Sequence, residues 1–427
     1  MTTAIVIGAG LAGLQTAWYL NAAGIETTVL ERLDGVALES SFANGGLITP
    51  SHAAPWNAPG IWKVLLKSIG NEQAPVLFRP RALPLFWRWG IEFLRHSSPE
   101  RFRATIRANV ALANTSVVEF QKIRQRLATD PLAEGFEHLS NGTLMLYRSP
   151  SSLEKGIANA RDMESHGIAC EVLDRRGVVE VEPALEAGAQ AMAGGISFPA
   201  DQSGNAYLYC RALADYLQRC GVTLRSRCEV LSLRAEGGRI RSVVTATEGE
   251  LEADVVVVAG GVFSPDLAKT VKLDLAVRPV KGYSVTFGVD GWNQAPTVPV
   301  VDDDLHVGVT PLGKRLRAVG SAEFVGYDKS INAARLNALR DVAKQLYPAA
   351  APYVDDHAEQ VEWAGLRPMT PDCLPIVGRS RYDNLFLNTG HSYLGWTTGA
   401  ATSRLVVDVI CGRPPALDLA PYRADRF

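Results

Sequence analysis

The chain has 427 residues, 47% of them apolar, which is enough to bury cores for two domains and excludes disordered and fibrous classes. A formal charge of −2, with no long block of one sign, leaves no field to attract nucleic acid, so nucleic acid is excluded as a partner. The six cysteines (Cys170, Cys210, Cys220, Cys228, Cys373 and Cys411) lack C-x-x-C spacing, so no metal site is expected and a reduced cytoplasmic setting fits them.

At the N-terminus, the apolar run at 5–7 suits a buried parallel strand. Gly8, Gly10 and Gly13 follow at once, a G-x-G-x-x-G spacing that opens an apolar helix. Gly8 permits a sharp turn, Gly10 lets backbone approach a pyrophosphate, and Gly13 lets helix and strand pack closely. Leu11 and Ala12, between them, carry free amides of the helix N-terminus toward the diphosphate. A second strand ends at Glu31, whose carboxylate can accept from both ribose hydroxyls and would repel a 2′-phosphate; Arg32 adjoins it. A glycine triplet alone often marks a loop, but strand, helix and acid in register predict a nucleotide site that disfavours NADP. The N-terminus has no basic leader and is not read as a signal peptide, and no stretch is apolar enough to span a bilayer.

Residues 50–100 are rich in proline and carry Trp56, Trp62, Trp87 and Trp89, which reads as an excursion from the nucleotide domain. Helical spacing at 101–127 and helix and loop at 151–182 complete a separate cap, with a strand at 143–147. The turn region 194–204 looks like the crossing back. Residues 205–231 then give a helix, a turn at Gly221 and an alternating strand through Val230, the pattern of a second nucleotide-domain βαβ element. After a hairpin at 248–250, four valines end on Gly260 and Gly261, as in a strand covered on both faces that stops where backbone must approach a ligand. Strands at 278–289, 298–310 and 315–320 and a helix at 331–346 are mostly antiparallel in character. A short strand at 385–388, a turn at 389–391 and a helix at 395–411, stopped by Gly412 and Pro414, close the chain. The fold class is α/β plus α+β.

The glycine motif, the run Ser40, Ser41, Phe42, Ala43, Asn44, Gly45 and Gly46, the run Ala53 to Trp56, and the run Lys281, Gly282, Tyr283 and Ser284 stand in a specific order with three later features. These are Gly365, Leu366 and Arg367 ahead of Pro371 and Asp372, then Asn388 to His391, then Gly395, Trp396 and Thr397. On these residues the chain resembles, from end to end, the bacterial D-amino-acid dehydrogenase (small subunit) family, within the glycine, sarcosine and D-amino-acid oxidase group. The resemblance implies non-covalent FAD rather than NAD. It also implies a discontinuous Rossmann-like, glutathione-reductase-like domain of residues 1–50, 200–272 and 360–427. A substrate domain of 51–199 and 273–359 would place an antiparallel sheet over the flavin ring. Ser41, Asn44, Gly45, Gly46, Leu47, Val230, Gly260, Gly261, Gly365, Arg367, Gly390, His391, Leu394, Gly395, Trp396 and Thr397 are then expected at FAD, beside the N-terminal motif. The implied reaction is oxidative deamination of a D-amino acid to a 2-oxo acid and ammonia by hydride transfer from Cα to flavin N5, with electrons passed to a quinone or other acceptor. No acid or base residue is required. Two alternatives stay open: oxidation of a secondary amine such as hydroxy-D-proline, sarcosine or an opine, and a flavin-binding subunit without turnover.

For the substrate, the resemblance points to Arg367, whose guanidinium suits a carboxylate; the alternative is an ion pair between domains. Tyr283 could cover the flavin or bond the substrate, or simply pack in the sheet. His306, on one strand face with Gly308 and Thr310, is a weaker candidate than a surface or core histidine. His52, and Ser392 with Tyr393 after His391, depart from the family's usual residues and leave substrate identity open. Cys373 is expected to be a buried thiol rather than a flavin attachment point. The segment 56–95 interleaves Trp with Lys63, Lys67, Arg79, Arg81, Arg88 and Arg95. It reads either as a contact with an anionic membrane, on the inner face of the cytoplasmic membrane, or as a lid.

Overall fold

The computed structural model describes residues 1–68, 76–132 and 134–427. At its centre lies a six-stranded sheet ordered Ile376–Arg379, Leu385–Thr389, Val255–Val258, Thr3–Ile7, Glu26–Leu30 and Thr223–Arg225. All neighbours are parallel except the first pair. Three distant stretches of sequence thus supply one sheet. Its valine-rich central strand is buried throughout because both faces are covered. Val255 and Val257 join Ala4, Val6 and Val29 against the helices Leu11–Ala22, Ala206–Arg219 and Gly395–Ile410. Val256 and Val258, pointing the other way, meet Leu233, Ile240 and Val243 of a small antiparallel sheet.

That small sheet, Val230–Glu236, Arg239–Thr245 and Gly249–Leu251, corrects part of the βαβ reading of 205–231. Only Thr223–Arg225 adds to the parallel sheet. Arg227 adopts a left-handed backbone (φ 56°), which turns the chain away, so Val230 begins the other sheet.

The second body is an antiparallel-dominated sheet of nine strands among the described residues. Arg278–Gly288 lies between Val361–Met369 and Arg315–Phe324, followed outward by Val307–Leu312, Val300–Asp302, Thr143–Tyr147, Gly194–Phe198 and Glu171–Leu173. Two boundaries move. Val361–Met369 pairs along its whole length with Arg278–Gly288, so the chain leaves this sheet after Met369 rather than at 360. The expected strand at 298–310 is a hairpin instead, broken by a turn at 303–306.

The helix Pro99–Ala128 also differs from a cap element. Leu112, Phe120, Ile123 and Leu127 are buried in the same core as Leu14, Tyr209 and Trp396, and Ser116 Oγ accepts from the Ala401 amide at 3.3 Å. Its first half stays with the other body, where Ile106 and Val110 pack with Tyr147, Met163, Ile196 and Phe198, so one apolar stripe serves both bodies and ties them together. No helix among the described residues is long and apolar enough to cross a membrane.

Candidate functional site

A cavity of about 580 Å³ opens where the parallel strands end at Gly8, Glu31, Gly260 and Thr389, and the antiparallel sheet covers it with Gly282, Tyr283, Val319, Gly365 and Arg367. The carboxyl ends of parallel strands are where such a fold binds ligands, because the helices that follow start there. Of the residues expected to hold the cofactor, all but Gly13 and Gly390 line this space. Gly13 acts one layer back. A Cβ there would stand 1.8 Å from the Gly8 carbonyl oxygen, so the close approach of helix and strand requires glycine.

At the nucleotide end, Glu31 accepts from the Ala9 amide at 2.9 Å and from the Leu33 amide at 3.0 Å. These bonds hold the carboxylate at the cavity wall with lone pairs left for hydroxyl donors. Arg32 pairs with Glu39 and lies 3.7 Å from the centroid of the Phe263 ring. The helix Leu11–Ala22 has no side-chain capping bond and no acid in its first turn. The helix Gly395–Ile410 has neither as well, and the buried Nε1 of Trp396 has no acceptor among the described residues. The Leu11 amide donates to Ser41 Oγ at 3.3 Å, and no acid neutralises either helix start, so two positive helix ends on one cavity fit a phosphate-bearing, partly anionic cofactor.

Between the ends, the chain at 44–47 is held from several sides. Asn44 Oδ1 accepts from the Gly46 amide at 3.0 Å, Thr310 donates to the Gly45 carbonyl at 2.7 Å, and Arg317 donates to the Asn44 carbonyl at 3.1 Å. Burial pushes the Arg317 pKa down to about 10.

At the far end, strand register places Arg367 opposite Val280, with its Nη1 donating to the Ser321 carbonyl at 2.9 Å. No carboxylate among the described residues pairs with it, and burial alone pushes its pKa down to about 10, still cationic at neutral pH. The alternative role as an interdomain ion pair is therefore not what the structure contains. A Cβ on Gly282 would come within 2.3 Å of Nη1, so glycine is what leaves the guanidinium its place. Trp56 stacks on Tyr393 with centroids 5.1 Å apart, and the Arg367 guanidinium carbon sits 5.7 Å from the Trp56 ring. Tyr393 donates its hydroxyl proton to the Ala54 carbonyl.

Tyr283 lines the cavity, but its hydroxyl donates to Glu323 Oε2 at 2.8 Å, and Glu323 also holds Lys281 and Arg335. Burial, then the bonded carboxylate, raises the phenol pKa, so its proton stays there. His391 is buried with Nε2 2.9 Å from Thr402 Oγ1, and burial lowers its pKa to about 4. His52 also lines the cavity, and burial lowers its pKa likewise to about 4. His306 is placed elsewhere. It sits exposed in the turn between two strands, with a left-handed backbone (φ 53°), and does not reach the cavity, because the strand on which it was expected ends at Asp302. Cys373 is buried outside the cavity lining, its thiol pushed up to about 12 by desolvation.

Phe263 and Trp363 also line the cavity without having been expected there, as do Ser392 and Trp56, which stood in recognised runs without an assigned role. Phe263 lies just past the glycine pair and Ser392 beside His391, so proximity to a motif was the signal available. Trp363 and Trp56 reach the cavity through strand register and loop path, which leave no local mark. Among the described residues no cluster of His, Cys, Asp and Glu could hold a metal ion.

The family model described as FAD dependent oxidoreductase matches residues 3–409. A D-amino acid dehydrogenase of Paramagnetospirillum magneticum is 39% identical over 424 residues, covering 99% of this chain and 98% of that protein. One from Agrobacterium fabrum is 36% identical over 422 residues, covering 99% of both. Among solved structures, glycine oxidase from Geobacillus kaustophilus superposes with a TM-score of 0.74 at 22% identity, covering 100% of both chains. L-proline dehydrogenase from P. horikoshii gives 0.76 at 18% identity, covering 100% of this chain and 97% of that one. These two support the fold. The chain belongs to the FAD dependent oxidoreductase family, and its cofactor is FAD.

Proposed function

We propose that this chain oxidises a D-amino acid at Cα to the imino acid, which water hydrolyses to a 2-oxo acid and ammonia. The observation that carries the reading is Arg367, a charged guanidinium in the cavity with no carboxylate partner of its own among the described residues. A substrate carboxylate completes it with two parallel charge-assisted hydrogen bonds. Near full-length relatives named D-amino acid dehydrogenase support the same substrate class.

FAD, bound without a covalent link, supplies the hydride acceptor. The chain's own residues do the positioning. Arg367 anchors the carboxylate, Trp56 and Tyr393 close one side of that anchor with apolar surface, and the antiparallel sheet fixes the anchor's height over the cavity floor. Cα loses a hydride and the nitrogen loses a proton. The two electrons then leave to a quinone or another acceptor.

The segment 56–95 has a buried face and an exposed one. Trp56 lines the cavity, and Trp89 is buried with Phe86 and Phe93 against Phe324, its Nε1 donating to the Met369 carbonyl at 3.1 Å. Trp62 and Trp87 are exposed. Residues 69–75 and the Lys67 side chain lie outside the described residues. We place the protein in the cytoplasm, with the exposed face of this segment resting on the membrane that holds the acceptor.

Anaerobic titration of the holoenzyme decides the reaction. Rapid bleaching of the flavin by D-alanine is expected. Bleaching by secondary amines alone, or by no amine, overturns the reading in favour of the two alternatives, respectively.

A further inference from the structure

Thr143, Asp201, Ser51 and His52 form a hydrogen-bonded line that ends in the cavity. Thr143 Oγ1 donates to Asp201 Oδ2 at 2.6 Å, the Ser51 hydroxyl donates to the same oxygen, and His52 Nδ1 lies 3.0 Å from Ser51 Oγ. Ser51 has a single hydroxyl proton. With that proton committed to Asp201, its oxygen can only accept from the imidazole, so Nδ1 carries the N–H and Nε2 keeps a lone pair. Nε2 is buried and has no partner among the described residues. An acceptor left unpaired in a cavity is costly unless a ligand satisfies it.

The chain path brings this acceptor to the Arg367 end. Ala54 takes the Tyr393 hydroxyl and Trp56 stands between Tyr393 and Arg367, so the loop that starts at His52 packs against the carboxylate anchor. The neighbouring polar side chains there are spent: Tyr283 on Glu323, Tyr393 on Ala54 and His391 on Thr402. Arg367 offers donors and His52 offers an acceptor, the polarity of an amino acid presented in reverse.

We infer that His52 Nε2 accepts a hydrogen bond from the amino group of the bound substrate, with Ser51 and Asp201 as positioning residues that fix the imidazole tautomer. The inference rests on the amine-oxidation reading above. Two anchors of opposite polarity, one for each substituent of Cα, also limit which face of the substrate can turn its hydrogen toward the cofactor.

The test compares two ligands on the FAD-loaded enzyme: D-alanine, followed by anaerobic flavin bleaching, and propionate, which lacks only the amino group, followed by its perturbation of the flavin spectrum. His52→Asn keeps a donor near Nδ1 for Ser51 and removes the acceptor at Nε2. It should weaken D-alanine by about ten- to hundredfold while leaving propionate within about twofold, the difference expected of one buried hydrogen bond. His52→Gln, whose amide reaches the Nε2 position, should restore part of the loss. Ser51→Ala should show the same selectivity at smaller size, appearing in KM rather than kcat, and Ser51→Thr should reverse it. Equal weakening of both ligands, or no change in D-alanine, overturns the inference alone. Wild-type flavin that no amine bleaches overturns the functional reading and this inference together; bleaching by secondary amines only transfers the same comparison to sarcosine and acetate, with the same criteria.

Discussion

Arg367 shows how a single residue acquires a role from what surrounds it. It has backbone and aromatic neighbours and no acid among the described residues, so its charge is held ready for a ligand. Arg367→Ala should raise KM by about a hundredfold, the scale of a lost charge-assisted bidentate contact, with the flavin spectrum intact. An unchanged KM would refute the assignment. Gly282→Ala is a sharper probe, since the added methyl meets Nη1 at 2.3 Å and must displace the guanidinium without altering its charge. Its expected signature is a raised KM with little change in melting temperature. His391 carries a pH effect. Its pKa falls from 6.5 to about 4 on burial, so the unfolded chain takes up the proton first as pH drops. Stability from this group is complete above pH 6.5 and is lost as pH falls toward 4, by about 3 kcal/mol. Urea unfolding across that window should show the loss in the wild type and a shallower slope in His391→Gln.

At the scale of elements, the glycine motif and the two helix starts border one cavity. The Gly13 contact is between backbones, so nothing flexible can yield. Gly13→Ala should cost about 1–3 kcal/mol by overpacking, or more, because helix Leu11–Ala22 must shift off its strand. Loss of FAD retention on gel filtration should accompany the lower melting temperature, and unchanged retention would contradict the role given to this contact. Register matters equally in the antiparallel sheet. A slip of one residue between Val361–Met369 and Arg278–Gly288 would turn Arg367 to the opposite face. The valine strand was legible for a related reason: burial on both faces leaves a run without alternation, and the two faces proved to be separate cores.

Across the whole molecule, the helix Leu83–Arg95 turns Phe86, Trp89 and Phe93 inward and leaves Leu83, Trp87, Ile91 and Leu94 exposed, Trp87 at 54% and Ile91 at 46%. Spacings of four, four and three residues place these four on one stripe, bordered by Arg88 and Arg95. On the membrane contact proposed above, this stripe would bury apolar surface in an anionic bilayer while the arginines meet headgroups. Co-sedimentation with phosphatidylglycerol vesicles is expected, and Trp87→Ser with Ile91→Ser should abolish it while activity with a soluble dye acceptor persists. Binding that survives the double substitution would place the contact elsewhere.

By itself the sequence pointed to a nucleotide cofactor, which the family resemblance narrowed to FAD, and to the order of segments expected around it. Gly8 to Glu31, Gly260 and Gly261, and His391 to Thr397 are local signals, because turns, helix starts and strand ends each demand particular residues at short spacing. Only the tertiary structure decided the rest. Pro99–Ala128 bridged the two bodies, His306 fell on an outer turn, and Trp56, Trp363 and the line from Asp201 to His52 all reached the cavity. Those outcomes depend on which face a strand or helix presents to a partner far away in sequence, and no short spacing records that choice.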